Sequence, residues 1–329
     1  MFCMLTTIRV AAISFLLSAF SFAIPKNLDL GGMVLSVSDA PTAQTFHIVD
    51  QLSQWDIYTH SQYVRWAETT QLLGQRDREL LRQHAEMRKK RVWGHGFEQT
   101  FLVDASIENA AANGIAAQFL SPTEANTERD ILLHFAPKLE PLLRQRHAEI
   151  VALQQQLVAE QSRLTPLMVQ LARFAEVKNP PVVMVFLVAN TEEHNSGGGA
   201  YGGRVVVEVP SADAIGTLLH ESLHQLLEPQ KESIRSAAEA AALEYTDLNE
   251  GIAYALYPGI IADNEQGDHL VEELVRMQLR GTAASDPFLK FNQIAAVIRP
   301  LLRAALAHNK TLTTFLPEAT AKWRSIVTR

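Results

Sequence analysis

Residues 217–227 read TLLHESLHQLL: two histidines four apart, with a glutamate directly after the first. On a helix, positions four apart share a face, so His220 and His224 can turn both imidazoles towards one metal ion. Glu221 stands about 100° round the helix from His220. It can reach a water beside that ion without binding the ion itself. Two nitrogen ligands and one carboxylate base are what hydrolysis by a metal-activated water requires. The bland reading of the same string is an amphipathic helix whose histidines satisfy core hydrogen bonds. A chain with 11 histidines can produce the string by chance, so context matters. Ile215, Leu218, Leu219, Leu223, Leu226 and Leu227 repeat at helical spacing, a strand-like segment precedes them, and no proline or glycine interrupts residues 217–227.

A catalytic zinc takes three protein ligands and keeps a fourth position for water. The single cysteine, Cys3, lies in the apolar N-terminal segment, so the third ligand must be His, Asp or Glu. Downstream, residues 247–257 read DLNEGIAYALY. The Asn249-Glu250-Gly251-Ile252-Ala253 segment, coming after His-Glu-x-x-His, resembles the second motif of the gluzincin metallopeptidases of the MA clan. The resemblance covers roughly residues 182–257. It implies that Glu250 completes a zinc site with His220 and His224. It implies that Glu221 is the general base and that the substrate is a peptide or protein. It also implies that the strand before the metal helix, RVVVEVP at 204–210, borders the cleft; the other reading of that strand is an interior one. The spacing from His224 to Glu250 is longer than in thermolysin-type enzymes, which makes Glu244, nearer to His224, a competing ligand. Its surroundings, AALEYTD, lack the preceding Asn and the following small residue, and Glu239 reads as a solvated helix charge. The family commonly uses a Tyr or His to stabilise the oxyanion. Tyr254 is the first candidate, with Tyr201, Tyr245, Tyr257 and His269 behind it. Asp247 and Asn249 are candidates to orient the histidines.

The elements that must position these residues can be read from periodicity. Residues 42–91 are helical in pattern, with Phe46, Val49, Leu52 and Trp55 at helix spacing and a break at Gly74. Residues 92–104 suggest an irregular turn or a short strand. Ser121-Pro122 marks a helix start. A long helix is expected over 141–176, where Leu143, Ile150, Leu157, Leu164 and Leu171 fall seven apart. The companion series, His147, Gln154, Gln161 and Met168, is mostly polar, which favours packing within the chain over a coiled-coil dimer. After Asn179-Pro180-Pro181, residues 182–190 (VVMVFLVAN) and 204–210 read as strands joined by the glycine-rich NSGGGAYGG at 195–203. The metal helix is expected over 211–227 with Ser211 as N-cap. Further helices are expected near 232–246, 248–257, 264–281, 286–308 and 311–327.

Residues 1–23 have the form of an export signal. Arg9 is followed by an apolar run over residues 10–22 that ends in a small-x-small pattern at Ser21-Phe22-Ala23. The run is short of the roughly 20 residues that span a bilayer. A periplasmic or extracellular location without a stable membrane anchor is therefore expected. The net charge of −7 and the absence of a long basic run give nucleic-acid binding no electrostatic support. The expected fold is α+β and mostly helical, with residues 24–178 as an N-terminal helical domain and 179–329 as a zincin-like domain. Two other functions remain open: a zincin-like fold that binds without turnover, and a helical periplasmic interaction module with structural histidines.

Overall fold

Residues Val182–Ala189 are apolar at every position. Such a run, too short for a helix and rich in β-branched residues, suits a strand covered on both faces. A computed structural model, which describes residues 26–91, 96–192, 197–261 and 287–327, places it at the centre of a five-stranded sheet. The segment over residues 1–23 that reads as an export signal, with Cys3, the helix expected over 264–281, and His269 lie outside the described residues. In chain order the strands are β1 (Lys26–Asp29), β2 (Val34–Ser38), β3 (Val182–Ala189), β4 (Gly198–Ala200) and β5 (Arg204–Val209). Their spatial order is β1-β2-β3-β5-β4. The three middle strands run parallel, with Val34 opposite Val182 and Met184 opposite Arg204. β1 and β4 close the two edges antiparallel, with Lys26 opposite Val37 and Gly198 opposite Val207.

Side chains alternate across a strand, and the two faces of this sheet feed two separate cores. Val183, Val185 and Leu187 of β3, with Val205, Val207 and Val209 of β5, join the core built on the C-terminal helices. Phe186, Val188 and Val206 join the core built on the N-terminal helices. The N-terminal helices are α1 (Pro41–Ser53), α2 (Ser61–Thr69), α3 (Gln75–Arg88), α4 (Phe97–Phe101) and α5 (Ile107–Ala116). α6 (Pro122–Phe174) follows as one element of 53 residues, about 80 Å long at 1.5 Å per residue. Beyond β5 come α7 (Ala214–Leu227), α8 (Lys231–Ala240), α9 (Tyr245–Tyr254), α10 (Pro287–Ala307) and α11 (Leu312–Val327). The protein is α+β and mostly helical. No helix among the described residues is long and apolar enough to cross a membrane.

Several elements differ from the sequence expectations. β1 and β2 are not anticipated by pattern, because residues 26–38 are too short and too mixed to stand out. β2 pairs with β3 and β1 with β2, so residues on both sides of position 178 share one sheet. α4 is a helix where the sequence suggests an irregular turn or strand. α6 begins at the Ser121 cap, where the Ser121 hydroxyl accepts from Glu124 N and the Glu124 carboxylate accepts from Ser121 N at 3.0 Å. It then runs through Pro137, Pro141 and Pro166. Its heptad positions Ile150, Leu157, Leu164 and Leu171 are buried in the chain's own core.

Two groups of charges are buried on the N-terminal face. Glu208 of β5 is fully buried and meets His47 Nε2 at 2.9 Å and His60 Nδ1 at 3.1 Å, while Gln62 donates to it at 3.3 Å. Burial would raise the Glu208 carboxyl, but hydrogen bonds from His47 and His60 outweigh it and hold the pKa down at about 2. His84 bridges Asp50 and Glu128 at 2.9 and 2.8 Å. Burial disfavours its charge, but the Glu128 and Asp50 carboxylates outweigh that and lift it to about 9. Arg88, also buried, pairs with Asp50 and Glu98 and lies 4.4 Å from the Trp55 ring.

These shifts fix a pH profile. A depressed carboxyl stabilises above its ordinary value of 4.5 and loses that contribution as pH falls through about 2. A raised histidine stabilises below its ordinary 6.5 and loses the contribution as pH rises through about 9. Thermal melts across pH are expected to fall on both sides. Glu208→Gln should lower stability at neutral pH by on the order of 3 kcal/mol, because it uncouples a buried pair, and should flatten the acid limb. An unchanged acid limb in that variant would separate Glu208 from the acid response.

Candidate metal centre

α7 forms where an apolar stripe recurs at helix spacing after the turn that follows β5. The Asp213 side chain, rather than Ser211, caps it by accepting from Gly216 N at 2.8 Å. Leu218, Leu219, Leu223, Leu226 and Leu227 bury one face. The opposite face carries Thr217, His220, Glu221 and His224. α9 packs beside it and presents Glu250. A Cβ at Gly251 would come within 2.4 Å of Ile294, so this glycine lets α9 lie directly against α10.

His220, His224 and Glu250 converge. The two Nε2 atoms are 3.3 Å apart, and Glu250 Oε2 is 3.4 Å from His220 Nε2 and 3.5 Å from His224 Nε2. Ligand atoms bound about 2.0–2.1 Å from a tetrahedral ion lie roughly 3.3–3.4 Å from one another. The three observed separations therefore fit one divalent ion, and among the described residues this is the one group of three or more such side chains with that geometry. Glu250 is partly open to solvent, with 25% of its side chain exposed, so the cluster can be reached from outside. Glu244 does not join it. It is exposed at the start of α9, where its backbone N donates to Asp247 Oδ2 at 2.8 Å. Glu239 is exposed on α8.

The far sides of both imidazoles are also held. His220 Nδ1 lies 3.4 Å from the Tyr257 carbonyl, an acceptor that leaves Nε2 free to ligate. His224 Nδ1 lies 2.9 Å from the Asn249 amide. Exchanging the amide oxygen and nitrogen of Asn249, which are equivalent in shape, lets Oδ1 accept from His224 Nδ1–H. It also removes the buried, unpartnered state of Asn249 Oδ1. Asp247 does not reach a histidine; it caps α9 and pairs with Lys290.

The electrostatics match a cation site. Burial opposes charge on His224, but the Glu250 carboxylate and its hydrogen bond outweigh this and raise the pKa to about 9. Burial would raise the Glu250 carboxyl, but the His224 charge and hydrogen bonds from His220 and His224 outweigh it and pull the pKa well below the usual range. Glu221 sits beside the cluster. Burial pushes its pKa up, the two histidines oppose that, and Glu250 adds to it.

β4 lies over this face of α7. A Cβ at Gly198 would come within 2.6 Å of Thr217 Cγ2 and 3.1 Å of Glu221 Cγ, so only glycine lets the strand approach so closely. Of the two readings of residues 204–210, the interior one agrees with the sheet order. β5 is interior, paired on both sides, and the strand at the sheet edge beside Glu221 is β4, from the glycine-rich segment. Of the candidate tyrosines, Tyr254 meets the His220 ring edge-on with centroids 4.7 Å apart. Tyr257 donates to Asp213, Tyr245 lies over Lys231 and Arg235, and Tyr201 packs against Gly199. Sequence reasoning missed Tyr58, whose hydroxyl feels the Glu250 charge. It lies far upstream of the motif and carries no local signal.

His220→Ala, His224→Ala and Glu250→Ala should each abolish stoichiometric metal binding in elemental analysis after equilibration with zinc and dialysis, while Glu244→Ala should retain it. Asn249→Ala should weaken affinity about 10–100-fold by releasing the His224 ring. Full occupancy in Glu250→Ala would remove that carboxylate from the ligand set. Searches of protein-family models, curated proteins and solved structures find no match to this chain.

Proposed function

We propose that the protein is an exported zinc-dependent peptidase of gluzincin type. The observation that carries this reading is the His220–His224–Glu250 triangle with sides of 3.3, 3.4 and 3.5 Å, with the Glu221 carboxylate on the next position of the same helix. When bound, zinc would lower the pKa of a water molecule and polarise the scissile carbonyl. The two neutral imidazoles and one carboxylate would leave that ion a net positive charge, which suits it to activating water.

The chain's own residues supply the remaining steps. Glu221 accepts a proton from the attacking water as the water oxygen forms its bond to the carbonyl carbon. It then delivers that proton to the nitrogen as the C–N bond breaks, leaving a free amine and a carboxylic acid. Its buried position favours a base that holds the proton long enough to return it. Tyr254 is our candidate donor to the oxyanion. Burial, followed by the charges of Glu250 and Glu221, pushes its pKa up to about 12, so it stays a protonated donor. Export is supported by the Arg9-plus-apolar segment that ends at Ala23.

Glu221→Gln keeps the shape of the helix and removes only the base. With zinc content unchanged, hydrolysis of a mixed peptide library by this variant should fall about 10²–10⁴-fold, read by mass spectrometry of the products. Equal turnover by the wild type and the variant would overturn the peptidase reading. Binding of peptides with no turnover by either protein would favour a role in binding alone.

A further inference from the structure

The loop at residues 54–60, between α1 and α2, carries Ile57 and Tyr58, which expose 72% and 36% of their surface. The loop is tied down on both sides of them. Tyr58 N donates to Asp56 Oδ1 at 3.1 Å, and Thr59 Oγ1 donates to Asp56 O at 2.6 Å. His60 N donates to Gln51 Oε1 at 2.6 Å, and its ring is held by the buried Glu208. Tyr58 is thus presented by a braced segment.

Its ring begins an unbroken aromatic series. Tyr58 meets Phe288 of α10 edge-on at 5.7 Å, and Phe288, 43% exposed, meets Phe291 at 6.1 Å. Phe291 stacks with Tyr254 at 6.4 Å, and Tyr254 meets the metal-site ring of His220 at 4.7 Å. The series links the N-terminal loop, α10, α9 and α7. Its inner end touches a metal-site histidine, and its outer end faces water. The exposed parts of the Tyr58 and Phe288 rings gain when an apolar side chain covers them.

We propose that Tyr58 and Phe288 wall an apolar subsite beside the metal centre, and that it takes a large apolar side chain of the peptide substrate next to the bond that is cut. This proposal rests on the peptidase reading. The N-terminal half then contributes directly to specificity, through a residue far in sequence from the His-Glu-x-x-His motif.

The two readings can be tested separately. Peptide binding is measured by fluorescence anisotropy on zinc-loaded Glu221→Gln protein, where hydrolysis plays no part. A peptide series carrying Phe, Leu, Ala, Lys or Asp at one position is used, scanned through the sequence. One position should favour Phe and Leu over Asp by roughly tenfold or more. Adding Tyr58→Ala or Phe288→Ala should erase that preference and leave the Ala peptide little changed, with zinc content and melting temperature preserved. Tyr58→Phe should keep the preference, since it retains the ring. A flat profile, or an equal loss for all peptides in Tyr58→Ala, would overturn the subsite. Loss of the preference in Tyr58→Phe would assign the effect to the hydroxyl and overturn it as well. Wild-type turnover of the same series tests the peptidase reading independently.

Discussion

Two imidazole nitrogens and a carboxylate oxygen held within 3.5 Å of one another put three lone pairs into one small volume. Such an arrangement persists only with positive charge among the three atoms, whether protons on the histidines or a metal ion. The fold accepts this constraint by holding α7 and α9 from behind. The leucines of α7 are buried in the core, and Gly251 lets α9 sit hard against α10, so neither helix can back away to relieve the crowding. The groups behind the imidazoles, the Tyr257 carbonyl and the Asn249 amide, fix the rings in the orientation that turns both Nε2 atoms inward.

The same logic of buried, paired charge recurs on the other face of the sheet. Glu208 extends from β5 into the N-terminal core and is matched by His47 and His60 from a segment far earlier in the chain. An isolated buried carboxylate would be costly, and pairing makes the cost depend on geometry. Through His60 this pairing positions the loop that carries Tyr58. A charge on the strand next to β4 is thereby connected to the loop whose Tyr58 ring meets Phe288.

Much of this was legible in the sequence, for a physical reason. α7 and α9 are short, locally determined helices, and the spacing of His220, His224 and Glu221 on one of them follows from helix geometry alone. The strands at 182–189 and 204–209 stand out by their unbroken β-branched runs. What could not be read was set by contacts distant in the chain. β2 exists because β3 offers it an edge and β1 because β2 does, and such short strands carry little pattern of their own. The role of the glycine-rich segment as edge strand depends on how closely Gly198 can approach α7, which no local rule encodes. Tyr58 and Phe288 come together only through the packing of segments from opposite ends of the chain.

α6 contributes to both cores, with Ile131 to Leu142 in the N-terminal one and Ile150 to Phe174 in the other. A continuous helix is stiff on this length scale, and it acts as a strut joining the two layers. With the sheet also shared between them, the halves cannot hinge apart as separate lobes without breaking this rod. The placement of α7 and α9, and with it the spacing of His220, His224 and Glu250, is therefore fixed by the same framework.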